Sequence, residues 1–268
     1  MDFISNIEKN VPTTKNEYTG SDGLLHCSKC NEPTQTVVDF LGTERTVRCI
    51  CSCGKRILEQ QKEKERREHL DRQRSICFSE SNMRNWNFAN DDKKNPKLSS
   101  AMLNYVKNFK DFKRKGTGLL MYGPCGTGKS YYAASIANAL IDEGYTVKMT
   151  NFTTLINQLW NCENKAAFME CIGKYSLLII DDLGAERQSS YMNEQVFNII
   201  DARYRSGQPL IVTTNLSADE IKRAPDISLQ RIYDRILDRC QPIAVNGTSR
   251  RKQHLRETFQ DVNSMLGL

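Results

Sequence analysis

From residue 119 onward, five short apolar bursts punctuate the chain: LLMY at 119–122, YTVKM at 145–149, LLII at 177–180, LIVT at 210–213 and PIAV at 242–245. Bursts this short read as strands buried in a sheet interior. The stretches between them place apolar residues at helical spacing, as at 132–141 and 196–204. Gly144 and Gly207 stand where helix C-termini are expected. Strands alternating with helices predict an α/β fold with a parallel sheet covered on both faces. No internal repeat is present.

Before residue 76 the pattern changes. Residues 55–75, KRILEQQKEKERREHLDRQRS, hold eight basic and five acidic side chains, three aliphatic ones, and neither Gly nor Pro. This reads as a solvated helix, marginal in isolation and ordered against a partner. Residues 1–54 are polar and Cys-rich. Three zones follow: 1–54, a charged helical linker over 55–75, and a globular domain over 76–268.

Composition narrows the class. Of the 268 residues 39% are hydrophobic, enough for a packed core, and the mean hydropathy is −0.57. No apolar run reaches the roughly 20 residues that span a bilayer. The N-terminal MDFISNIEKN lacks the basic-then-apolar order of a secretion signal, so the expected location is cytoplasmic, away from membrane. A net charge of +6 favours a polyanionic partner. Five of the ten cysteines crowd into residues 27–53, which in an intracellular chain points to metal before disulfide.

The segment Gly123-Pro124-Cys125-Gly126-Thr127-Gly128-Lys129-Ser130 satisfies G-x-x-x-x-G-K-[ST]. It follows a predicted strand and opens a predicted helix, the context the motif requires. Its glycines let several N–H groups face one phosphate, and the helix N-terminus adds partial positive charge. Lys129 reaches the β- and γ-phosphates and the Ser130 hydroxyl ligates Mg²⁺. Cys125 fills a variable position and carries no chemistry of its own. The bland alternative is an ordinary Gly-rich turn.

LLIIDDLGAER then sets Asp181 and Asp182 at the end of a buried strand. Asp181 is placed to hold Mg²⁺ through water, and Asp182 to orient or deprotonate the attacking water. Aspartate is one carbon shorter than glutamate, so binding is better supported than fast hydrolysis. In LIVTTNLS, Asn215 stands where it could touch the γ-phosphate, although Thr213, Thr214 and Asn215 also fit a strand-end turn. Arg231, Arg235 and Arg239 recur every four residues on one helical face. They are either a solvated basic face or a guanidinium aimed at a neighbouring subunit's γ-phosphate. Arg250 and Arg251 could supply a second arginine in cis.

The stretches GLLMYGPCGTGKSYYAASIANAL, LLIIDDLGAER, IVTTNLS and RIYDRILDR, in this order, resemble the AAA+ helicase loaders of the DnaC and DnaI type and the related IstB transposition ATPases. The lead-in ICFSESNMRNWNFAND and the run NIIDARYRSGQPLIVTTNL share the resemblance, which covers roughly residues 76–260. It implies an ATPase with a five-stranded AAA+ sheet and no separate helical lid. Gly123–Ser130 becomes Walker A, Asp181/Asp182 Walker B and Asn215 sensor 1. Arg235 takes the arginine-finger position with Arg231 as the fallback. In GTSRR, Arg251 is the better match to sensor 2, with Arg250 beside it.

Cys27-x₂-Cys30 followed by Cys49-x-Cys51-x-Cys53 offers five thiols for a site that takes four. An 18-residue span with a hairpin expected at Leu41-Gly42 returns the chain to the metal. Cys51 and Cys53 are the favoured second pair because Gly54 follows them, which leaves Cys49 spare and His26 a lesser substitute. A four-thiolate Zn²⁺ site has no open position for catalysis and serves as a docking device. Resemblance to loaders with N-terminal zinc modules implies that residues 1–75 hold the replicative helicase.

The leading expectation is an ATP- and Mg²⁺-dependent loader that self-associates through Arg235, grips single-stranded DNA and delivers a hexameric replicative helicase. A transposition helper on duplex DNA is the runner-up. A nucleotide-gated adaptor with little turnover is the reading from another class.

Overall fold

The computed structural model describes residues 16–40, 42–184, 190–224 and 226–251, with Phe259, Val262, Met265 and Leu266 near the C-terminus. The chain divides into two compact units, Met1–His69 and Leu70–Leu268.

In the first unit β1 (Glu17–Thr19) pairs antiparallel with β2 (Leu25–Cys27), and β3 (Gln35–Phe40) with β4 (Thr43–Arg48). The expected hairpin forms between β3 and β4, with Phe40 opposite Thr43. Its tip residue Leu41 lies outside the described residues. Asp39 Oδ1 accepts the Gly42 N–H at 2.9 Å, the side-chain bond that stabilises such turns. The charged helix α1 spans Ser52–Cys77, longer than the 55–75 expected, and the unit boundary falls inside it. Its exposed pairs Lys64–Glu68 (4.0 Å) and Glu63–Arg66 (3.7 Å) each contribute only a few tenths of a kcal/mol.

The second unit begins with two short 3₁₀ turns, Ser81–Asn85 and Phe88–Asn90, and then α2 (Pro96–Lys107) and α3 (Phe109–Lys115). There follow β5 (Gly118–Tyr122), α4 (Lys129–Asp142), β6 (Val147–Asn151), α5 (Phe152–Asn161), α6 (Lys165–Lys174) and β7 (Leu177–Leu183). The remainder is α7 (Ser190–Ser206), β8 (Leu210–Thr214), α8 (Ala218–Lys222), α9 (Ile227–Arg239) and β9 (Cys240–Ala244). All five apolar bursts are strands of one sheet, in the order β6-β7-β8-β5-β9 and parallel throughout.

Period-two alternation splits this sheet between two cores. Leu119, Met121, Leu177, Ile179 and Ile211 face α2 and α4, whereas Leu120, Leu178, Ile180, Leu210 and Val212 face α5, α6, α7 and α9. Each such residue is almost fully buried, worth about 1.5–3 kcal/mol before entropy is counted. Gly144 and Gly207, at φ +86° and +65°, end α4 and α7 as expected.

One core residue reads in the sequence as a surface charge. Arg203 is 1% exposed. Its guanidinium donates to the carbonyls of Ile172, Gly173, Tyr175, Ser176 and Pro209, tying the end of α6 to the turn before β8. Burial pulls its pKa down to about 10. Among the described residues no helix is long and apolar enough to cross a membrane.

Candidate functional site

The C-terminal ends of β5, β7 and β8 lie side by side, the place where open parallel sheets bind ligands. After β5 the chain turns through Gly123–Gly128 into α4, with Gly126 at φ +82° and Gly128 at φ +102°. A Cβ on Gly126 would stand 2.2 Å from Ser249 Oγ, and one on Gly128 would stand 2.7 Å from the Arg250 guanidinium. The left-handed backbone therefore demands glycine at both positions, and at Gly126 the close approach of Ser249 adds a steric demand, whereas the long Arg250 side chain could give way at Gly128. Thr127 closes the loop by donating to the Pro124 carbonyl at 3.0 Å.

Lys129 is 5% exposed and folds back over this loop. Its ammonium donates at 2.8 Å to each of three oxygens, the Gly123 and Pro124 carbonyls and Asn215 Oδ1. These neutral dipoles compensate the buried charge and occupy all three of its donors, so a phosphate must displace some of them; burial lowers the pKa of Lys129. Asn215 passes the contact on, its Nδ2 donating to Asp182 Oδ1 at 2.7 Å. Lys129, Asn215 and Asp182 thus form one hydrogen-bonded row.

The two aspartates occupy a bulge. Pairing of β7 with β8 shifts register between Ile180 and Leu183, and Asp182 adopts φ +63°. Thr213, fully buried, organises both acids: its hydroxyl donates to Asp181 Oδ1 at 2.5 Å and accepts the Asp182 N–H at 2.9 Å. Burial raises the pKa of Asp181, while hydrogen bonds from Thr213 and Ser130 oppose the rise. Ser130 and Asp181 are therefore in contact, the pair expected to share Mg²⁺.

A cleft of about 960 Å³ joins these groups. Its far wall is the lead-in segment, with Asn82, Met83, Trp86, Asn90 and Asp92. Helix α4 holds that wall: buried Asn138 donates to the Met83 and Trp86 carbonyls at 2.9 and 2.8 Å, and Tyr131 donates to the Asn87 carbonyl at 2.6 Å. Sequence reasoning missed Thr213, Asn138 and the lead-in wall. The one available signal was that ICFSESNMRNWNFAND belongs to the resemblance.

Arg250 and Arg251 both line the cleft. Arg250 donates to Asp92 Oδ1 at 2.9 Å, and its backbone N–H to the Gly126 carbonyl at 2.9 Å. Arg251 reaches Cys125 Sγ at 3.8 Å. Arg235 and Arg231 lie elsewhere, against α7, and neither lines this cleft.

In the first unit Cys27, Cys30 and Cys53 bring their sulfurs within 4.8 Å of one another. Cys51 falls outside that mutual distance yet shares hydrogen bonds with Cys27 and Cys30. The Glu32 backbone N–H leads the bonds that hold the Cys30 thiol down to about 6, and the Lys29 N–H leads those that lower the pKa of Cys27. Backbone donors aimed at sulfur favour thiolates, the form a metal takes. Cys49 turns away and donates to the Pro33 carbonyl at 3.3 Å. His26 has both ring nitrogens engaged, with the Asn31 carbonyl and Asp22.

Comparison with known proteins fits this geometry. The chain is 28% identical over 167 residues to the replicative helicase loader DnaI of Bacillus subtilis, covering 56% of this chain and 54% of that one. It is 29% identical over 168 residues to a putative insertion sequence ATP-binding protein of Sinorhizobium fredii, covering 60% and 56%. The match therefore spans about half the length of these relatives. A crystal structure of DnaI superposes with a TM-score of 0.54 at 23% identity, over 67% of this chain and 99% of that one, a likeness of fold. The α/β architecture is thus the AAA+ fold the sequence led one to expect. The model of the IstB-like ATP binding proteins matches residues 55–258, and the chain belongs to that family.

Proposed function

We propose that this chain is an ATP-dependent loader that binds single-stranded DNA and delivers a hexameric replicative helicase. The thiol cluster of the first unit carries the choice, because it adds to the ATP fold a small module whose chemistry suits docking and not catalysis. In this reading residues 1–54 are the zinc-binding docking module, 55–75 the linker and 76–268 the ATPase domain. Cys27, Cys30, Cys51 and Cys53 are the zinc ligands: backbone N–H groups favour the thiolates of Cys27 and Cys30, while burial raises the pKa of Cys51 and the neighbouring Cys30 raises that of Cys53, so the metal itself must draw off those two protons.

The cleft suits ATP with Mg²⁺. Gly123, Pro124, Cys125, Gly126, Thr127 and Gly128 wrap the phosphates, and Lys129 exchanges its carbonyl partners for phosphate oxygens. Ser130 and Asp181 would hold Mg²⁺, which supplies charge neutralisation on the phosphates. Asp182, oriented by Asn215, accepts the proton of the attacking water. Arg251 faces the nucleotide in its own chain, and Arg235 faces the nucleotide of a neighbouring copy, so that hydrolysis follows self-association.

A second reading has support of its own: the insertion-sequence relative is as similar as the loader. There the same ATPase assembles on duplex DNA and assists a transposase. Pull-down of a replicative helicase with ATP, using the full chain and its Cys30→Ser variant, separates the two. Capture by the full chain and loss in the variant supports the loader. Failure of both, with ATP-dependent binding to duplex DNA, moves the transposition helper ahead.

A further inference from the structure

Helix α7 turns one face to α9, carrying Phe197, Asp201, Tyr204 and Arg205 at positions i, i+4, i+7 and i+8. Helix α9 answers with Arg231, Arg235 and Arg239 at four-residue intervals. The guanidinium carbons of Arg231 and Arg235 lie 4.5 and 4.4 Å from the centroid of the Phe197 ring, and that of Arg239 lies 4.7 Å from Tyr204. Arg235 is also hydrogen-bonded at an edge, its Nε donating to Asp201 Oδ1 at 2.8 Å, whereas Arg239 Nε stands 3.8 Å from Asp238 Oδ2, beyond hydrogen-bond distance. Asp201 is 8% exposed, and its other oxygen is taken by Arg205.

A guanidinium has five donors in a planar fork. Arg235 spends one of them, Nε, on Asp201, and among the described residues its two Nη groups donate to nothing. Its face is spent on Phe197. What is left is the pair of N–H₂ groups that bind a phosphate best. A free Arg side chain loses rotamer entropy when it is fixed, and a guanidinium already clamped at one edge and one face has lost much of it before binding. Arg205 neutralises the second oxygen of Asp201, so the clamp holds Arg235 without adding a competing anion.

We infer that Asp201 and Phe197 are positioning residues for Arg235, fixing its guanidinium as a preformed fork for an anionic oxygen on a second copy of this chain. The inference rests on Arg235 serving a neighbouring copy's nucleotide, as proposed above.

Steady-state ATP turnover over a protein concentration series, with the full chain, tests it. Asp201→Asn should lower maximal turnover about tenfold while leaving the KM for ATP within twofold and the melting temperature within a few degrees. Phe197→Leu, which keeps the packing, should lower it about threefold. Adding Asp182→Asn copies, inert themselves but carrying an intact Asp201–Arg235 pair, should restore turnover to Asp201→Asn copies. Normal turnover in Arg235→Ala overturns the reading of Arg235 and this inference with it. Slow Arg235→Ala with normal Asp201→Asn overturns this inference alone. Loss in Asp201→Asn that mixing does not restore also overturns it, because a merely structural defect stays with the defective copy.

Discussion

Replacing Thr213 by Val deletes one hydroxyl and keeps the volume of the side chain. In the wild-type chain that hydroxyl donates to Asp181 and accepts from the Asp182 N–H. The two losses read out differently. A hydrogen bond to an ionised carboxylate is worth about 1.5–3 kcal/mol, which at about 1.4 kcal/mol per factor of ten is about 10–100-fold in any step needing ionised Asp181. The orphaned N–H costs about 1–3 kcal/mol of stability, a fall of about 2–12 °C in melting temperature for a unit of this size. Burial already raises the pKa of Asp181, and losing the Thr213 bond raises it further. The raised folded pKa puts this group's stabilising contribution below the unfolded value, lost as pH rises through the folded one. Thr213→Val is therefore more destabilised at pH 8 than at pH 5. Metal binding runs the other way, since it needs the carboxylate, and its deficit deepens as pH falls. Titration with a fluorescent ATP analogue, with and without Mg²⁺, should show the Mg²⁺-dependent gain in affinity falling at least tenfold at pH 6.5, with Mg²⁺-free affinity unchanged. Thr213→Ser should stay within threefold of wild type. An undiminished Mg²⁺-dependent gain in Thr213→Val across pH 6–8.5 would refute the assignment of Thr213 as the organiser of both acids.

Other variants probe other parts. Native mass spectrometry should find one zinc per chain, retained in Cys49→Ser and lost in Cys30→Ser, because Cys49 is turned onto the Pro33 carbonyl while Cys30 sits in the sulfur cluster. Arg203→Met should lower the urea midpoint by more than about 1 M: at about 1–3 kcal/mol for each stranded carbonyl, even two or three cost about 3–5 kcal/mol against a slope of about 2–3 kcal/mol per molar. Gly126→Ala forces a left-handed Ala at about 1–2 kcal/mol and a clash with Ser249, so nucleotide affinity measured by the same fluorescence should drop more than tenfold.

The strands were legible because burial on both faces leaves four or five apolar residues in a row, a signal contained in the segment itself. The phosphate loop was legible for the same reason, since its glycines answer a local backbone demand. What remained hidden depends on partners far along the chain. The role of Thr213 comes from a register shift between β7 and β8 that neither strand encodes alone. Asn138 and Tyr131 look like any polar residues on a helix until the lead-in segment folds over them. Arg203, in DARYRSG, shares its composition with a solvated face, and only the convergence of five carbonyls explains its burial. The hold of Asp201 on Arg235 spans 34 positions, beyond the reach of any helical periodicity.

The left-handed backbone at Asp182 constrains how this site could change over evolution. Asp, like Asn, enters that region more readily than longer side chains, because its short polar group finds hydrogen bonds close to its own backbone. A glutamate would extend the carboxylate by one methylene toward a bound phosphate but would forfeit that local accommodation. Acceleration by a single substitution is therefore self-limiting: the extra reach is offset by a poorer fit of the main chain. A quicker descendant needs a coordinated change in the bulge, with position 182 and its neighbours on β8 moving together, so the pace of the site is inherited as a property of two strands.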